Sequence, residues 1–170
     1  MNVLVMAGGK GSRINNKRKM LLKIDNRTLI ERSLEILHNL KMNIHICIND
    51  NTDFLLDILH NYNIIRGTGD YIRDLKKSLD TMDLPVLVMP ADIIYSSNII
   101  EEFIVSTNKI SQGIVNLKVN GKLSGISIFY KRPDNEVIKF KDISILSESF
   151  FNINYPKDYN NAVKFYSRQL

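Results

Sequence analysis

The sequence predicts an α/β fold in which helices cover both faces of a mostly parallel sheet. Short apolar segments are interspersed along the chain with longer segments whose apolar residues recur at helical spacing. Two of the apolar segments, 2–7 and 85–89, contain almost no polar residue, which is typical of strands buried on both faces. This pattern favours parallel strands joined by helical crossovers. The length suits one domain, which we expect to span residues 1–170.

Each predicted element has its own sequence pattern. Thr28 and Glu31 form a capping-box pattern at the start of a helix. Asn120-Gly121 is typical of a hairpin turn between two strands, and Pro156 favours a helix start. We predict strands over 2–7, 44–48, 63–65, 85–89, 114–119 and 126–130, and helices over 28–40, 53–59, 70–82, 96–106 and from Pro156 onward.

The composition excludes several classes of protein. Hydrophobic residues make up 44% of the chain and charged residues 24%, a balance that argues against a disordered chain or a coiled coil. No apolar run reaches the ~18 residues that a membrane span needs. A single cysteine, Cys47, excludes an internal disulfide and a cysteine-built metal site. The first residues lack the pattern of a signal peptide, so we expect a cytoplasmic protein.

The positive charge is concentrated near the N terminus. The net charge is +5, and residues 1–27 contain seven bases and one acid, so this segment carries the whole excess. A local positive field of this kind favours an anionic partner, which could be a phosphate compound, a nucleic acid or a membrane surface.

A glycine-rich segment, 7–13, follows the first predicted strand and has the sequence Ala-Gly-Gly-Lys-Gly-Ser-Arg. Glycines let the backbone amides approach a phosphate closely. The spacing matches neither a P-loop, because Lys10 precedes Gly11, nor a dinucleotide fingerprint, because Ile14 stands where a glycine is needed. A tight strand-to-helix turn would also use glycines, but Lys10, Arg13 and Lys19 nearby favour phosphate binding.

Residues 4–13, followed by Lys19-Met20-Leu21-Leu22, resemble the signature of the nucleotidyltransferases that activate sugars and cofactors. Segments 67–75, 87–93 and 151–154 are similar to those of an archaeal subfamily, the adenosylcobinamide-phosphate guanylyltransferases. The resemblance spans nearly the whole chain. It implies a Rossmann-like, three-layer α/β/α nucleotidyltransferase fold.

The resemblance also implies an activity, the transfer of GMP from GTP to adenosylcobinamide phosphate with release of pyrophosphate, in cobalamin biosynthesis. Arg13, Lys19 and Asp92 would be catalytic, and Asp92 would hold Mg²⁺, which prefers one or two carboxylates together with phosphate oxygens. An aspartate after a strand can also serve as a turn or N-cap residue. The residues implied to bind the nucleotide are Ala7, Gly8, Gly9, Lys10, Gly11, Ser12, Arg13, Lys19, Gly67, Thr68, Gly69, Asp92 and Asn152.

Two further residues are weaker candidates for contact with the phosphorylated acceptor. Gly125, just before the strand predicted from Ile126, would allow close approach, although a bend in a strand explains it equally well. Asn154 would contact the acceptor. Asn152 or Asn154 would also complete the metal shell or contact the sugar, although asparagine is common in turns. A homodimer is compatible with the sequence.

Two other functions stay open alongside this one. A related enzyme such as a molybdenum-cofactor guanylyltransferase shares the glycine-rich segment and the aspartate after a strand. A nucleotide-binding regulator without activity would belong to another class, but Arg13, Lys19 and Asp92 together disfavour it. A nucleic-acid partner is not expected, because the basic segment lacks the interleaved aromatic residues of single-strand binders.

Overall fold

The computed structural model describes residues 1–8, 18–133 and 138–168. The predictions made for Gly9, Lys10, Gly11, Ser12 and Arg13 therefore lie outside the described residues.

Strands and helices follow one another in the predicted order. The strands are β1 (Asn2–Met6), β2 (Lys23–Ile24), β3 (Arg27–Thr28), β4 (Asn43–Ile48), β5 (Asn63–Arg66), β6 (Val86–Pro90), β7 (Ile93–Ile94), β8 (Ile114–Val119), β9 (Lys122–Phe129), β10 (Phe140–Ile145) and β11 (Phe151–Asn152). The helices are α1 (Leu29–Asn39), α2 (Leu56–Leu59), α3 (Tyr71–Asp80), α4 (Ser97–Thr107) and α5 (Pro156–Tyr166). Two 3₁₀ segments, Lys19–Leu21 and Asp50–Leu55, complete the regular structure in the described ranges.

The central sheet explains where a ligand can bind. Its strands lie in the order β10-β8-β9-β6-β1-β4-β5, and β9 alone among these described strands runs antiparallel to its neighbours. The chain moves outward from β1 through β4 to β5 and then crosses back to β6 on the other side of β1. Ligands of open α/β sheets bind at such a reversal, beyond the carboxyl ends of the strands. The ends of β1 and β6 therefore mark the expected site.

Hydrophobic cores on both faces of the sheet confirm the predicted three layers. Successive side chains of β1 point to opposite faces. Val3 and Val5 join the core beneath α1 and α4, whereas Leu4 and Met6 join the core beneath α3. All four side chains are buried, which explains why segment 2–7 is almost entirely apolar.

Local patterns predicted two features correctly. Thr28 and Glu31 form the capping box of α1, with the Glu31 amide donating to Thr28 Oγ1 at 3.2 Å and the Thr28 amide donating to Glu31 Oε2 at 2.8 Å. The β8–β9 turn has positive φ at Asn120 (51°) and Gly121 (77°), as a tight hairpin requires.

Several assignments differ from the prediction. The two-residue strands β2, β3, β7 and β11 were not predicted, because so short a segment has no alternating pattern. The helix predicted over 53–59 is helical only from Leu56 to Leu59 and is preceded by the 3₁₀ segment. Strand β10 was not predicted, because most of its side chains are exposed and it carries two charges, so it lacks the apolar pattern of a core strand. Contacts with β8 hold it in place: Lys118 pairs with Asp142 at 2.6 Å, and Asn116 donates to the same carboxylate at 3.1 Å.

No helix among residues 1–8, 18–133 and 138–168 is both long enough and apolar enough to cross a bilayer.

Candidate active site

A cavity of about 530 Å³ opens at the expected place, beyond the carboxyl ends of β1 and β6. Its lining includes seven residues that the sequence singled out, namely Gly8, Lys19, Gly69, Asp92, Gly125, Asn152 and Asn154. It also includes five residues to which the sequence assigned no role, namely Met6, Cys47, Tyr71, Asp74 and Pro90. The fold thus brings together candidates that lie up to 146 positions apart in the chain.

A lysine and an aspartate form an ion pair within this cavity. Lys19 Nζ contacts Asp92 Oδ2, and the two side chains are only 14% and 16% exposed. Lys19 begins a 3₁₀ segment that follows the glycine-rich sequence, and Asp92 lies in the short link between β6 and β7. The low exposure strengthens their attraction relative to a surface pair. The pair places one positive and one negative group side by side within the cavity.

Strand pairing brings the Asn152 segment to the aspartate. Strand β11 pairs antiparallel with β7, with Asn152 opposite Ile93, and the Ile153 amide donates to the Asp92 carbonyl at 3.1 Å. Asn152 and Asn154 therefore lie on the same wall of the cavity as Asp92. Asn152 belongs to a strand, so the alternative of a turn asparagine does not apply to it.

The loop formed by residues 67–69 is held by a buried carboxylate, Asp74 in α3. Asp74 accepts hydrogen bonds from the Thr68 amide (2.6 Å), the Thr68 hydroxyl (2.9 Å) and the Gly69 amide (2.9 Å). Burial acts to raise the pKa of Asp74, but these hydrogen bonds hold it below its ordinary value. A Cβ at Gly67 would lie 2.5 Å from Asp74 Oδ2, so this position has no room for a side chain.

Asn49 lies against both glycine segments and is bonded to the first of them. It follows β4 and is buried, and its side-chain amide donates to the Gly8 carbonyl at 2.6 Å. The same nitrogen lies 3.0 Å from where a Cβ would be at Gly8 and 3.3 Å from a Cβ at Gly69. Sequence analysis missed Asn49 and Asp74. For Asn49 the available pattern was a polar residue directly after a buried strand. For Asp74 it was a polar residue on the buried face of a helix.

Not all the predicted residues face the cavity. The Ala7 amide donates to the Cys47 carbonyl at 2.8 Å, and the Gly67 amide donates to the Ile48 carbonyl at 2.7 Å. The Thr68 amide is bound to Asp74. These three amides are therefore occupied by bonds within the fold, and none of the three residues lines the described part of the cavity. Ala7 and the first two loop residues support the cavity wall from behind.

Gly125 lies at an irregularity of β9 and also lines the cavity. Its φ is +85°, and the pairing of β8 with β9 shifts register between Asn116 and Lys118, beside it. This irregularity is the bend that the sequence left open as an explanation. A Cβ at Gly125 would also lie 3.2 Å from the Pro90 ring, so glycine keeps the mouth of the cavity open next to β6.

Cys47 lines the cavity with a thiol whose surroundings disfavour the reactive thiolate. Its side chain is buried, and burial raises the pKa of the thiol above its ordinary value. A protonated thiol reacts poorly, because the thiolate is the reactive form.

The donor set suits a cation that is shared with phosphates. No group of three or more His, Cys, Asp or Glu side chains in the described parts of the chain could hold a metal by itself. Asp92 offers one carboxylate, and Asn152 and Asn154 lie on the same wall. Mg²⁺ commonly binds through one or two carboxylates, with phosphate oxygens and water completing its octahedron. The residues fit such an ion only when a phosphate ligand is also bound.

Comparison with known proteins defines the class. Residues 3–132 match the family described as the MobA-like NTP transferase domain. The chain therefore belongs to this family, which places it among the nucleotidyltransferases.

Particular relatives narrow the class further. The chain is 35% identical over 104 residues to the adenosylcobinamide-phosphate guanylyltransferase of Methanocaldococcus jannaschii, a match that covers 55% of this chain and 53% of that protein. The chain thus spans about half the length of this curated relative.

Solved structures share the fold at low identity. CMP:2-keto-3-deoxy-manno-octonic acid synthetase complexed with CTP superimposes with a TM-score of 0.78 at 10% identity, covering 99% of each chain. Rv0371c of Mycobacterium tuberculosis in complex with manganese gives a TM-score of 0.70 at 10% identity, covering 96% of this chain and 97% of that one. Enzymes of this fold commonly use divalent metals, as the manganese complex illustrates.

Proposed function

We propose that this protein transfers GMP from GTP to adenosylcobinamide phosphate, forming adenosylcobinamide-GDP and pyrophosphate, as a step of cobalamin biosynthesis. The observation that carries the proposal is the Lys19–Asp92 pair beside Gly8 at the ends of β1 and β6. Family membership supports nucleotidyl transfer, and the similarity to the Methanocaldococcus guanylyltransferase supports this choice of substrates.

The proposed reaction is a substitution at the α-phosphorus of GTP. A phosphate oxygen of the acceptor attacks the α-phosphorus, and the bond from that phosphorus to the α,β-bridging oxygen breaks. Its electron pair leaves with pyrophosphate. A phosphate monoester loses its second proton near pH ~6, so the nucleophile is already ionised at neutral pH. No dedicated general base is needed, and catalysis depends on positioning and on neutralising charge.

Basic groups and backbone amides supply that neutralisation in the proposal. Lys19 would leave Asp92 and bind phosphate oxygens of GTP, and Lys10 and Arg13 would assist from the glycine-rich segment. Amides of Gly8, Gly9, Gly11 and Ser12 would bind the triphosphate.

Asp92 and the phosphates of GTP would together hold Mg²⁺. The ion would reduce the repulsion between the phosphates. Asn152 would contact the nucleotide and Asn154 the acceptor phosphate. The pairing of β11 with β7 holds Asn152 beside Asp92, and the Asn154 amide donates to Asp158 at 3.0 Å.

The loop 67–69 is proposed to lie near the guanine base. Its conformation does not depend on a ligand, because Asp74 binds the amides of Thr68 and Gly69 and Asn49 lies against Gly69. A fixed backbone can distinguish the hydrogen-bonding edge of one base from another. Binding of GTP compared with ATP, CTP and UTP in the presence of Mg²⁺ tests this part of the proposal, and equal affinities would contradict it.

Pyrophosphate release distinguishes the three functions. We expect release with GTP and adenosylcobinamide phosphate and none with GTP and molybdopterin. The opposite result would indicate a molybdenum-cofactor guanylyltransferase. Tight GTP binding without pyrophosphate from either acceptor would indicate a regulator. Asp92→Asn is the matched control, because it keeps the size of the side chain but removes its charge, and it should abolish release.

A further inference from the structure

A second groove adjoins the cavity, and Asn152 is the one described residue proposed for nucleotide binding that lines it. It has a volume of about 460 Å³ and lies between the tip of the β8–β9 hairpin and the segment 150–161. We call it the hairpin groove, and it is bounded chiefly by Asn120, Leu123, Phe150, Phe151, Tyr155 and Asn161. Asn152 and Asn154 line both the groove and the first cavity, so the two spaces meet at these residues.

Exposed apolar side chains line the groove. Leu123 is 63% exposed and Tyr155 is 57% exposed, on opposite sides of the groove. Phe150 and Phe151 are half-buried between them. Neighbouring exposed apolar side chains on a small protein commonly mark a binding surface.

The polar groups of the groove are largely neutral. Asn120 and Asn161 present amides, and Lys122 carries the one positive charge among the described lining residues. Asp158 is the acidic residue, and its Oδ2 already accepts the amides of Asn154 (3.0 Å) and Tyr155 (2.8 Å). The groove therefore suits a ligand body with apolar faces and neutral polar substituents.

Both walls of the groove are fixed before a ligand arrives. The Asn120 side chain donates to the Ser147 carbonyl at 2.6 Å and accepts from the Ser147 amide at 3.0 Å, which anchors the hairpin tip. Phe151 packs against Phe165 and Tyr166 of α5, with ring centroids 5.6 and 6.3 Å away. A preformed groove lowers the entropic cost of binding.

We infer that the hairpin groove binds the corrin body of the acceptor, with the acceptor phosphate lying at Asn154, where the groove meets the first cavity. This inference rests on the proposed function. The acceptor must bring its phosphate to the α-phosphorus of GTP, so its body must occupy space that is continuous with the first cavity. A corrin macrocycle has apolar faces that match Leu123 and Tyr155. Its carboxamide substituents match the side-chain amide of Asn161, whereas the Asn120 amide is already bonded to Ser147.

Leu123→Glu and Tyr155→Ala test the inference. Each should raise the KM for adenosylcobinamide phosphate by roughly tenfold or more, the effect expected for one apolar contact. Each should leave the KM for GTP unchanged, which also shows that the variant is folded. Leu146→Glu is the matched control, because Leu146 is 87% exposed and does not line the groove. Direct titration with cobinamide, which lacks the phosphate, should show weaker binding to the first two variants only.

The outcomes separate the inference from the function on which it rests. If corrinoid turnover occurs and neither variant changes the KM for the acceptor, the groove assignment is wrong and the proposed function stands. If the wild-type protein uses only another acceptor, the proposed function is wrong. If the wild-type protein is a dimer and Leu123→Glu makes it a monomer without changing the KM for the acceptor, the groove is occupied by a second copy of the chain and the inference is overturned.

Discussion

At the residue scale, the central feature is that Lys19 and Asp92 neutralise each other where a triphosphate and a cation would bind. An ammonium group on a carboxylate competes with any metal ion for the same oxygen atoms. We therefore expect the cation to bind poorly alone and well with nucleotide, since phosphate oxygens would draw Lys19 away from Asp92. The ion pair would thus couple metal binding to nucleotide binding.

Lys19→Met should reveal this competition. Without the ammonium group, we expect Asp92 to bind Mn²⁺ roughly tenfold more tightly in the absence of nucleotide, an effect equal to about 1.4 kcal/mol. Titration followed by electron paramagnetic resonance measures this affinity without depending on turnover. Lys23→Met is the control, since Lys23 is exposed and outside the cavity. An unchanged or weaker Mn²⁺ affinity in Lys19→Met would contradict the competition.

Asp74 supports a second prediction, about pH. Because the folded-state pKa of Asp74 lies below its ordinary value, its stabilising contribution is complete above the unfolded pKa of ~3.9 and is lost as the pH falls through the lower folded pKa. Asp74→Asn should reduce the free energy of unfolding by about 1 kcal/mol at pH 7, because the half-buried Gly69 amide loses its acceptor. The difference from wild type should shrink as the pH falls through this window.

Urea unfolding at pH 7 and near pH 3 measures the effect. Asp57→Asn provides the comparison, because Asp57 is exposed and its substitution should change stability by less than ~0.5 kcal/mol. A difference between wild type and Asp74→Asn that is equal at both pH values would show that the charge of Asp74 does not stabilise the loop.

At the scale of elements, residues that follow the parallel strands build the site. Gly8 follows β1, Asn49 follows β4, Gly67 follows β5 and Asp92 follows β6. Parallel strands end at one edge of the sheet, so these residues become neighbours although they are far apart in the chain. The bond from Asn49 to the Gly8 carbonyl then fixes two of these strand ends relative to each other.

A substitution at the start of helix α1 should change the stability of the protein without changing the site. Thr28→Ala removes the acceptor for the Glu31 amide and half of the capping box, so it should lower the free energy of unfolding by about 1 kcal/mol. Thr28→Ser should retain most of the stability, because serine keeps the hydroxyl. Thermal unfolding and the KM for GTP measure both effects. A large change in the KM for GTP with Thr28→Ala would show that the capping box also positions the site.

At the scale of the whole molecule, strand β6 connects the two halves of the central sheet. It pairs in parallel with β1 and antiparallel with β9, so the β1–β4–β5 half and the β8–β9–β10 half share one strand. Buried side chains of both halves belong to one continuous core, for example Val5 and Ile128. Shared strands and a shared core favour cooperative unfolding.

We therefore expect one unfolding transition for the chain, as the prediction of a single domain requires. Far-ultraviolet circular dichroism and tyrosine fluorescence should give the same midpoint in urea. Wild-type protein can be compared with Phe103→Ala, in which the loss of a fully buried ring should lower the midpoint by the same amount for both probes. Two separate transitions would contradict the single domain.

The predictability of the site differed from residue to residue for physical reasons. Lys19 and Asp92 were predicted because charged residues next to a glycine-rich segment and after an apolar strand form a local pattern. Asp74 and Asn49 were not predicted, because their importance lies in hydrogen bonds to residues five to 41 positions away. Thr68 was expected at the nucleotide, whereas its amide and hydroxyl are bound to Asp74.

The sequence by itself determined the fold class and the order of the longer helices and core strands, and it indicated which charged residues are candidates for binding a nucleotide. These properties depend on apolar periodicity, turn residues and local charge. Each of these patterns involves only a few neighbouring positions in the chain. Tertiary structure alone decided which of these residues meet. It joined Lys19 to Asp92, placed Asn152 beside them through the β7–β11 pair, and formed the groove beside Leu123. Such contacts depend on strand register and packing between distant segments, which a local pattern does not contain.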